Sequence, residues 1–352
     1  MSTWFTKKTF SKTSLAALAG ASVLALAACG GSPAPAGSSA AGSEQGITVY
    51  NAQHESLTQA WVDEFTKETG IKVTLRQGSD LELSNQIIAE GDKSPADVFL
   101  TENSPAMTQV ENAGLFADTS KTIQDQVPAE YRPSTNKWTG IAARSTVFAY
   151  DTTKLKEDQL PKSLMDLQNQ EWKGRWAASP SGADFQAIVS AMLELKGEDA
   201  TSAWLKGMKE NSKAYKGNST AMKAVNAGEV EGAVIYHYYY FGDQAKTGEN
   251  SKNIGMHYFK NQDPGAFVSV SGGGVLASSK HQDSAAKFLE FVTGKAGQTI
   301  LQTGTSFEYP VGSDVAANDK LVPLAELQAP TVDSAKLNSA KVTELMTQAG
   351  LL

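Results

Sequence analysis

The sequence predicts an α/β protein of two lobes, each a mostly parallel sheet flanked by helices. Strand and helix signals alternate from residue 47 to residue 114, which is typical of parallel strands joined by crossover helices. The chain has 352 residues, more than a single hydrophobic core usually supports. Two extended segments, at 141–150 and 265–270, are placed to lead the chain out of the first lobe and back. We therefore expect a hinge of two crossing strands between the lobes.

Apolar spacing and glycines define the elements of the first lobe. Leu57, Trp61 and Phe65 recur every four residues, as on one face of a helix, and Gly70 follows as a helix stop. Ser104, as an N-cap followed by proline, opens a later helix. The expected strands lie at 47–50, 71–75 and 96–100. The expected helices end at Gly70, Gly91 and Gly114.

The remaining elements are predicted in the same way. A strand is expected at 232–236, a helix of the first lobe at 284–292, and a C-terminal helix at 334–349 with Gly350 as its stop. The glycines at 272–274 lack the lysine and Ser/Thr spacing of a nucleotide-binding loop, so we interpret them as a close backbone approach near the hinge.

The N-terminal segment predicts export. Lys7, Lys8 and Lys12 precede an apolar run at 15–28, which is too short for a membrane-spanning helix. The last four residues of this signal peptide motif, ending at Cys29, resemble the lipobox of bacterial lipoproteins, in which the cysteine carries the lipid. We expect a protein anchored to the outer face of the cytoplasmic membrane or held in the periplasm. The alternative is a plain secretory peptide that leaves a free thiol.

Composition excludes several classes of protein. Cys29 is the only cysteine, so no disulfide is expected. The formal net charge is −7, and removal of residues 1–28, which carry three lysines and no acidic residue, leaves −10. Binding to nucleic acid or to anionic lipid is therefore not expected. No Ser/His/Asp or Cys/His motif is recognisable, so we do not expect an enzyme.

The chain divides into four predicted regions. The segment after the signal peptide is rich in Gly, Ala, Ser and Pro, which is typical of a flexible tether. The predicted regions are the signal peptide 1–28, the linker 29–46, the first lobe 47–145 plus 269–320, and the second lobe 146–268 plus 321–352.

The run of three tyrosines at 238–240 is the most informative motif. Phenolates are hard oxygen ligands that suit Fe³⁺, because a phenol with a pKa of about 10 ionises at neutral pH only when a strong Lewis acid replaces its proton. An aromatic cluster is more often core packing. His54 and Glu102 favour a metal site, because they follow the first and third predicted strands, where ligands gather in parallel sheets. Each of the two taken alone is ordinarily a solvated surface group.

Tyr238 and Tyr239 can reach one ion only if the strand ends before them, because adjacent residues of a strand point to opposite faces. We therefore expect the strand to end near His237 and a turn or helix to follow. Tyr240 is interpreted as a packing residue and His237 as a neighbour of the ligands. It stays open whether Tyr236, His237 or Tyr240 replaces one of the two tyrosines.

Several segments carry a family resemblance. They are 47–54, 91–102, 140–151, 238–239, 263–266 and 308–310. With these segments the chain resembles the bacterial ferric-ion-binding proteins, the substrate-binding components of iron(III) ABC importers, over nearly all of 47–352. The resemblance implies the type II periplasmic binding protein fold, a monomer, and a permease with its ATPase as partners. It implies His54 and Glu102 of one lobe and Tyr238 and Tyr239 of the other as ligands of Fe³⁺. Arg144 lies within the predicted hinge.

An exogenous anion is expected beside the ion, since six-coordinate Fe³⁺ needs more than four protein atoms and members of the family commonly use one. The predicted site is Ser181, Gly182 and Ala183 at a helix N-terminus, whose N–H groups and dipole favour an anion such as phosphate or carbonate. Asn218, before a second short helix, matches an anion contact of the family. Ser181 with Asp184 also suits a helix cap, and the carboxylate of Asp184 would repel an anion.

Two other functions remain. A receptor of the same fold for a small organic or oxyanion ligand, such as thiamine or a phosphonate, would use the tyrosines for stacking or hydrogen bonds. A secreted metal-dependent hydrolase would use His54 and Glu102. An iron complex of two phenolates is coloured by charge transfer, whereas the alternatives are colourless.

Overall fold

The structure is a computed structural model that describes residues 46–352. The predicted signal peptide, Cys29 and all but the last residue of the predicted linker lie outside the described residues. No helix between residues 46 and 352 is both long enough and apolar enough to cross a bilayer.

The strands are β1 (Ile47–Asn51), β2 (Val73–Gln77), β3 (Val98–Leu100), β4 (Thr139–Asp151), β5 (Trp176–Ala178), β6 (Ser212–Ala214), β7 (Gly232–Tyr236), β8 (Ile254–His257) and β9 (Val268–Val275). The helices are α1 (Glu55–Thr69), α2 (Asp80–Glu90), α3 (Ser104–Asn112), α4 (Lys121–Gln126), α5 (Ala183–Asn211), α6 (Asn218–Asn226), α7 (Tyr238–Lys246), α8 (Gln282–Thr293), α9 (Lys295–Thr303) and α10 (Ser339–Gln348).

The strands form one sheet in the order β2-β1-β3-β9-β4-β7-β5-β6, and β8 pairs with β4. One end of the sheet holds the parallel strands β1, β2 and β3, and the other holds the parallel strands β5, β6 and β7. The long strands β4 and β9 run antiparallel to their neighbours and lie between these two groups. The alternation of strands and helices therefore gives the predicted α/β fold with two parallel groups.

Strand β4 joins the two groups. Its residues 139–145 pair with β9, and its residues 146–151 pair with β7 and β8. Both halves of β4 are almost entirely buried, because helices cover the sheet on either side of it. The strand is therefore a continuous piece of backbone shared by the two parallel groups.

Separate aromatic clusters lie under the two parallel groups. Trp61, Phe65 and Phe288 are buried between α1, α8 and the first group, where the two phenylalanine rings meet edge to face at 5.1 Å. Trp176 and Trp204 belong to the core beside the second group. The indole N–H groups of Trp61, Trp176 and Trp204 each donate to a backbone carbonyl, so these buried polar atoms are satisfied.

Most predicted helix ends and strands are confirmed. Gly70 ends α1 in the left-handed conformation at φ 77°, which favours glycine. Strand β7 has the predicted bounds, and α8 extends the helix predicted at 284–292 by a few residues. The run 272–274 lies inside β9, where a Cβ on Gly272 would be 2.2 Å from Cγ of Met107. These glycines therefore let neighbouring side chains approach the strand.

Other predicted bounds are wrong. Asn103, not Ser104, is the N-cap of α3, and the second strand begins two residues later than expected. The segment 334–349 is not one helix, because it consists of a short 3₁₀ turn at Ser334–Lys336 followed by α10. Asn338 breaks the continuity, since its side chain accepts the N–H of Lys341 and caps α10.

Candidate metal centre

The parallel strands β1 and β3 place two of the predicted ligands side by side. His54 is the N-cap of α1, just beyond the end of β1, and Glu102 follows the end of β3. Because β1 and β3 are neighbours and run in the same direction, the segments after them meet at one edge of the sheet. The Nε2 atom of His54 lies 3.1 Å from Oε1 of Glu102, and each side chain is 25% exposed.

The two tyrosines lie at a junction between a strand and a helix. Strand β7 ends at Tyr236 and helix α7 begins at Tyr238, so the backbone changes direction before the pair. The rings of Tyr238 and Tyr239 stack at 4.3 Å with an interplanar angle of 30°. The prediction that the strand ends before them is confirmed, and the tyrosines form the first turn of the helix.

The structure brings all four predicted ligands into one cluster. The rings of His54 and Tyr238 meet nearly edge to face at 5.0 Å. Tyr239 is stacked on Tyr238, and Glu102 contacts His54, so the four side chains form a continuous group. Tyr240 packs instead with Phe241 and the core beside β7, as its interpretation as a packing residue predicts.

Asp184 adds a fifth side chain, which the sequence had not indicated as a member of the metal site. Its Oδ2 atom accepts hydrogen bonds from the hydroxyls of Tyr238 at 3.1 Å and Tyr239 at 3.0 Å, and from Nδ2 of Asn218 at 2.8 Å. Its Oδ1 atom accepts from Nδ2 of Asn103 at 3.0 Å. A buried carboxylate with four donors is therefore built into the cluster.

The predicted anion site is occupied in part by this carboxylate. Gly182 is the N-cap of α5, so the predicted cap by Ser181 is wrong, and the side chain of Ser181 is exposed. Ala183 is the first residue of the helix, and Asp184 follows it. Asn218, a predicted anion contact, donates to Asp184. The sequence signal for Asp184 was its place as an acidic residue in the first turn of a helix, where the helix dipole favours a negative charge.

Burial keeps the phenols of the cluster protonated. It raises the pKa of Tyr238 well above its usual value, and the charge of Asp184 adds to this effect. The pKa of Tyr239 is raised for the same two reasons. Burial and then the charge of Glu102 raise the pKa of Asp184. For Glu102 itself burial opposes ionisation, but the hydrogen bond with His54 and the charge of Arg144 outweigh it and lower the pKa.

A buried ion pair between Arg144 and Glu308 lies against the predicted ligands. Arg144, predicted in the hinge, lies on β4 opposite Ser269 of β9. Its Nη1 donates to the backbone carbonyl of Glu102, and its guanidinium lies over the ring of Tyr238 at 5.4 Å. Both side chains of the pair are completely buried. The pair was not predicted as part of the site, because its members are far apart in the sequence.

The two residues before the tyrosines, Tyr236 and His237, already have hydrogen-bond partners. Nδ1 of His237 accepts the N–H of Ser145 at 3.2 Å, so the proton lies on Nε2, which donates to the carbonyl of Phe307 at 2.7 Å. Burial lowers the pKa of His237 to about 3, so the ring is neutral. The hydroxyl of Tyr236 is 3.3 Å from Oδ1 of Asn103. The backbone before the tyrosines is therefore fixed by hydrogen bonds.

Asp80 fixes the segment that carries Glu102. Its carboxylate accepts the backbone N–H groups of Glu102 at 2.9 Å and Asn103 at 3.0 Å. Burial, and then the charge of Glu102, raises the pKa of Asp80 to about 8. No signal in the sequence distinguished this residue from the other acids at helix starts.

A solvent-connected cleft of about 1050 Å³ leads to the cluster. His54, Tyr238 and Tyr239 line it, together with Lys223 and Lys246. Across residues 46–352 no group of three or more His, Cys, Asp and Glu side chains is placed to hold a metal ion. The cluster described here is a mixed one, with one imidazole, two carboxylates and two phenols.

Comparison with known proteins shows the family of the chain. Residues 93–338 match the family described as bacterial extracellular solute-binding protein. The Fe(3+)-binding periplasmic protein of Serratia marcescens is 68% identical over 316 residues, which cover 90% of this chain and 94% of that protein. The major ferric iron-binding protein of Neisseria meningitidis serogroup B is 38% identical over 308 residues, with coverage of 87% and 93%.

Solved structures show the same similarity to ferric-ion-binding proteins. The crystal structure of iron-bound HitA from Pseudomonas aeruginosa superposes with a TM-score of 0.82 at 40% identity, covering 87% of this chain and 99% of that chain. The predicted type II periplasmic binding protein fold is confirmed, as is the prediction that the chain is a binding protein and not an enzyme. The chain belongs to the family of bacterial extracellular solute-binding proteins, in the group that contains the ferric-ion-binding proteins.

Proposed function

We propose that this protein is an extracytoplasmic receptor that captures Fe³⁺ and delivers it to an ABC permease and its ATPase. The ligands in this proposal are His54, Glu102, Tyr238 and Tyr239. The observation that carries it is the meeting of two stacked phenols with an imidazole and a carboxylate at the ends of parallel strands. The named function of the Serratia and Neisseria relatives supports the same cargo.

The donor set suits a trivalent ion. Once the phenols of Tyr238 and Tyr239 are ionised, they and Glu102 supply three negative charges, which balance the charge of Fe³⁺. Hard oxygen donors with one imidazole favour this ion over metals that prefer thiolate ligands. The phenol protons leave only when the ion replaces them, because burial raises the pKa of both groups.

Asp184 competes with the predicted exogenous anion for one position. Its carboxylate lies at the start of α5 and contacts both phenols and Asn218, the residues expected around the anion. A phosphate or carbonate added to this site would face a buried carboxylate, and charges of the same sign repel strongly where water is excluded. We propose that Asp184 supplies the charge that the anion was expected to bring.

The two lobes are proposed to close around the ion. The proposed lobes are residues 47–145 plus 269–320 and residues 146–268 plus 321–352. Support comes from β4 and β9, since β4 changes partner from β9 to β7 between Ser145 and Thr146. Two crossing strands permit a rigid-body rotation that brings the tyrosines to His54 and Glu102.

Visible spectroscopy tests the cargo. Addition of Fe³⁺ to metal-free protein is expected to produce a phenolate-to-iron charge-transfer band that saturates at one ion per chain. Calorimetry with thiamine and with a phosphonate under the same conditions serves as the comparison. A protein that remains colourless with Fe³⁺ but binds one of the organic ligands would refute the iron proposal and support the alternative. Hydrolysis of a phosphate ester by metal-loaded protein would support the hydrolase.

Membrane attachment depends on a single residue in our proposal. Cys29→Ser is expected to move the protein from the membrane fraction to the soluble fraction, because the lipid is attached through the thiol. The affinity for Fe³⁺ should be unchanged, since residues 46–352 contain the complete proposed site. The measurement is immunodetection in separated membranes together with an iron titration. Retention of the variant on membranes would rule out lipidation at Cys29.

A further inference from the structure

Glu308 presents an unpaired carboxylate oxygen to the back of the cluster. Its side chain is completely buried. One oxygen, Oε1, pairs with Arg144 and lies 3.4 Å from both Nε2 of Gln53 and Oγ of Ser271. The other oxygen, Oε2, accepts no hydrogen bond from any residue of 46–352 and lies 3.6 Å from Nδ1 of His54. A buried oxygen without a donor is costly, so its place beside an imidazole nitrogen requires an explanation.

The two nitrogens of His54 face different groups. Nε2 lies 3.1 Å from Oε1 of Glu102, whereas Nδ1 lies 3.6 Å from Oε2 of Glu308. A neutral imidazole carries one proton, and the nitrogen that binds a metal must be the one without it. In this structure Nε2 hydrogen-bonds to Glu102, and the 3.6 Å between Nδ1 and Oε2 of Glu308 is longer than a hydrogen bond. If the proton is on Nδ1 when the ion binds, Nε2 is free to coordinate it, and Oε2 of Glu308 is the carboxylate oxygen that faces Nδ1–H.

We propose that Glu308 is a positioning residue that holds the proton of His54 on Nδ1 in the iron-bound protein and turns Nε2 toward the ferric ion. This inference rests on the proposed role of His54 as a ligand. A carboxylate behind a metal-binding imidazole fixes the tautomer and the ring orientation and makes the ligand more basic. Glu308 thus acts through His54 and does not itself touch the ion.

The chain holds Glu308 in place from both sides. Tyr309 exchanges two backbone hydrogen bonds with Ala143 of β4, at 2.8 and 2.9 Å. On the other side, the carbonyl of Phe307 accepts the Nε2–H of His237. Phe307 has a φ of 55°, a left-handed conformation that bulky residues rarely adopt. Strain of this kind persists only where the surroundings impose it, which agrees with a carboxylate held at one position.

A purely structural role for Glu308 would not require the arrangement that is observed. If Glu308 only neutralised Arg144, its interaction with the guanidinium would satisfy the requirement, and Oε2 would have no reason to lie at an imidazole nitrogen. The guanidinium also contacts the carbonyl of Glu102 and the ring of Tyr238, so Arg144 influences the site through residues other than His54. The two members of the ion pair can therefore be separated by experiment.

Glu308→Gln is the informative substitution. The Gln oxygen can still accept from Arg144, but its NH₂ group would face Nδ1 of His54 and would require the proton to move to Nε2. We expect the affinity for Fe³⁺ to fall roughly 10- to 100-fold, the usual effect of removing a carboxylate behind a metal ligand. Glu90→Gln is the matched control, because Glu90 accepts hydrogen bonds from Tyr50, Gln86 and Ser94, outside the cluster.

A double-mutant cycle with His54→Ala gives the decisive measurement. If Glu308 acts through His54, Glu308→Gln should cost less than about threefold in affinity once His54 is absent. Equal losses in both backgrounds would overturn the inference and leave His54 as a ligand. If His54→Ala alone does not weaken binding, the proposed role of His54 fails instead, and the two failures are thereby distinguished.

The wild-type protein provides an independent measurement if Glu308→Gln does not fold. Ga³⁺ is a diamagnetic ion of the same charge, and ¹⁵N-labelled histidine in the Ga³⁺-loaded protein reports which nitrogen carries the proton. A proton on Nδ1 of His54 with Nε2 bound to the metal is the expected result. A proton on Nε2 would overturn the inference.

Discussion

Replacement of either Tyr238 or Tyr239 by Phe is expected to abolish most of the affinity for Fe³⁺ and to shift or bleach its visible band. Each substitution removes one phenolate, so the ion keeps an uncompensated positive charge in a buried site. Loss of one partner of a buried charge pair costs about 3–5 kcal/mol, which corresponds to roughly a thousandfold in affinity. Competition with a chelator measures the affinity, and the absorption spectrum reports the remaining phenolate.

Proton release gives the same prediction a second readout. In the metal-free protein both phenols are protonated at neutral pH, because burial raises their pKa. One bound ion therefore displaces two phenol protons, and these two alone make the apparent affinity rise about 100-fold per pH unit. Each Tyr→Phe variant should release one proton fewer than the wild type. Acidification should weaken binding in every case.

Tyr240→Phe is the matched control within the same run. Tyr240 packs against Phe241 and the core beside β7, so its loss should leave colour, affinity and proton release nearly unchanged. An equal effect at all three tyrosines would contradict the assignment of two ligands. An unchanged proton count in Tyr238→Phe and Tyr239→Phe would show that the phenols do not ionise on binding.

Local rules were sufficient to single out four candidate ligand residues in the sequence, and the family resemblance joined them into one set. His54 and Glu102 follow strands whose apolar runs are visible in the chain, and parallel strands bring their ends together. Tyr238 and Tyr239 required only that a strand stop before them, and β7 stops at Tyr236. In each case the information lies within a few residues of the ligand.

The residues behind the ligands could not be predicted in this way. Glu308 approaches His54 because a loop after α9 pairs with β4 at Ala143, and no sequence spacing encodes that contact. Asp184 was visible as an acid at a helix start, but such residues are common and usually only stabilise the helix. Its role depends on the packing of α5, α6 and α7 around one carboxylate, which is known only after folding.

Asp184→Asn is expected to convert a site that supplies its own charge into one that depends on added anion. In buffer without phosphate or carbonate, we expect the affinity of the variant for Fe³⁺ to fall by roughly 100-fold or more, since a buried negative charge beside the ion is removed. The Asn side chain has nearly the same shape but only one acceptor oxygen, so its NH₂ group would face the NH₂ donor of either Asn103 or Asn218.

Added phosphate should distinguish the variant from the wild type. In the variant, phosphate can take the place of the lost carboxylate at the start of α5, where the helix dipole favours a negative charge, and the affinity should recover about tenfold. In the wild type, phosphate should change the affinity less than about threefold, because it would add charge to a site that Asp184 already makes negative. Ser181→Ala in the wild-type background is the control, and it should leave the affinity for Fe³⁺ without phosphate unchanged, because the side chain of Ser181 is exposed.

The charges of the cluster explain why a negative charge on Asp184 and a bound phosphate are not expected together in the wild type. With both phenols and Asp184 ionised, Fe³⁺ and its three anionic ligands are neutral together, Arg144 and Glu308 cancel, and Asp184 leaves one negative charge. A phosphate would raise this to two or three in a buried site, where an unpaired charge costs several kcal/mol. If the wild type itself binds Fe³⁺ tightly only with phosphate or carbonate, the exogenous anion is required. Asp184 would then be a helix-start residue that hydrogen-bonds to the tyrosines, and our proposal for it would be wrong.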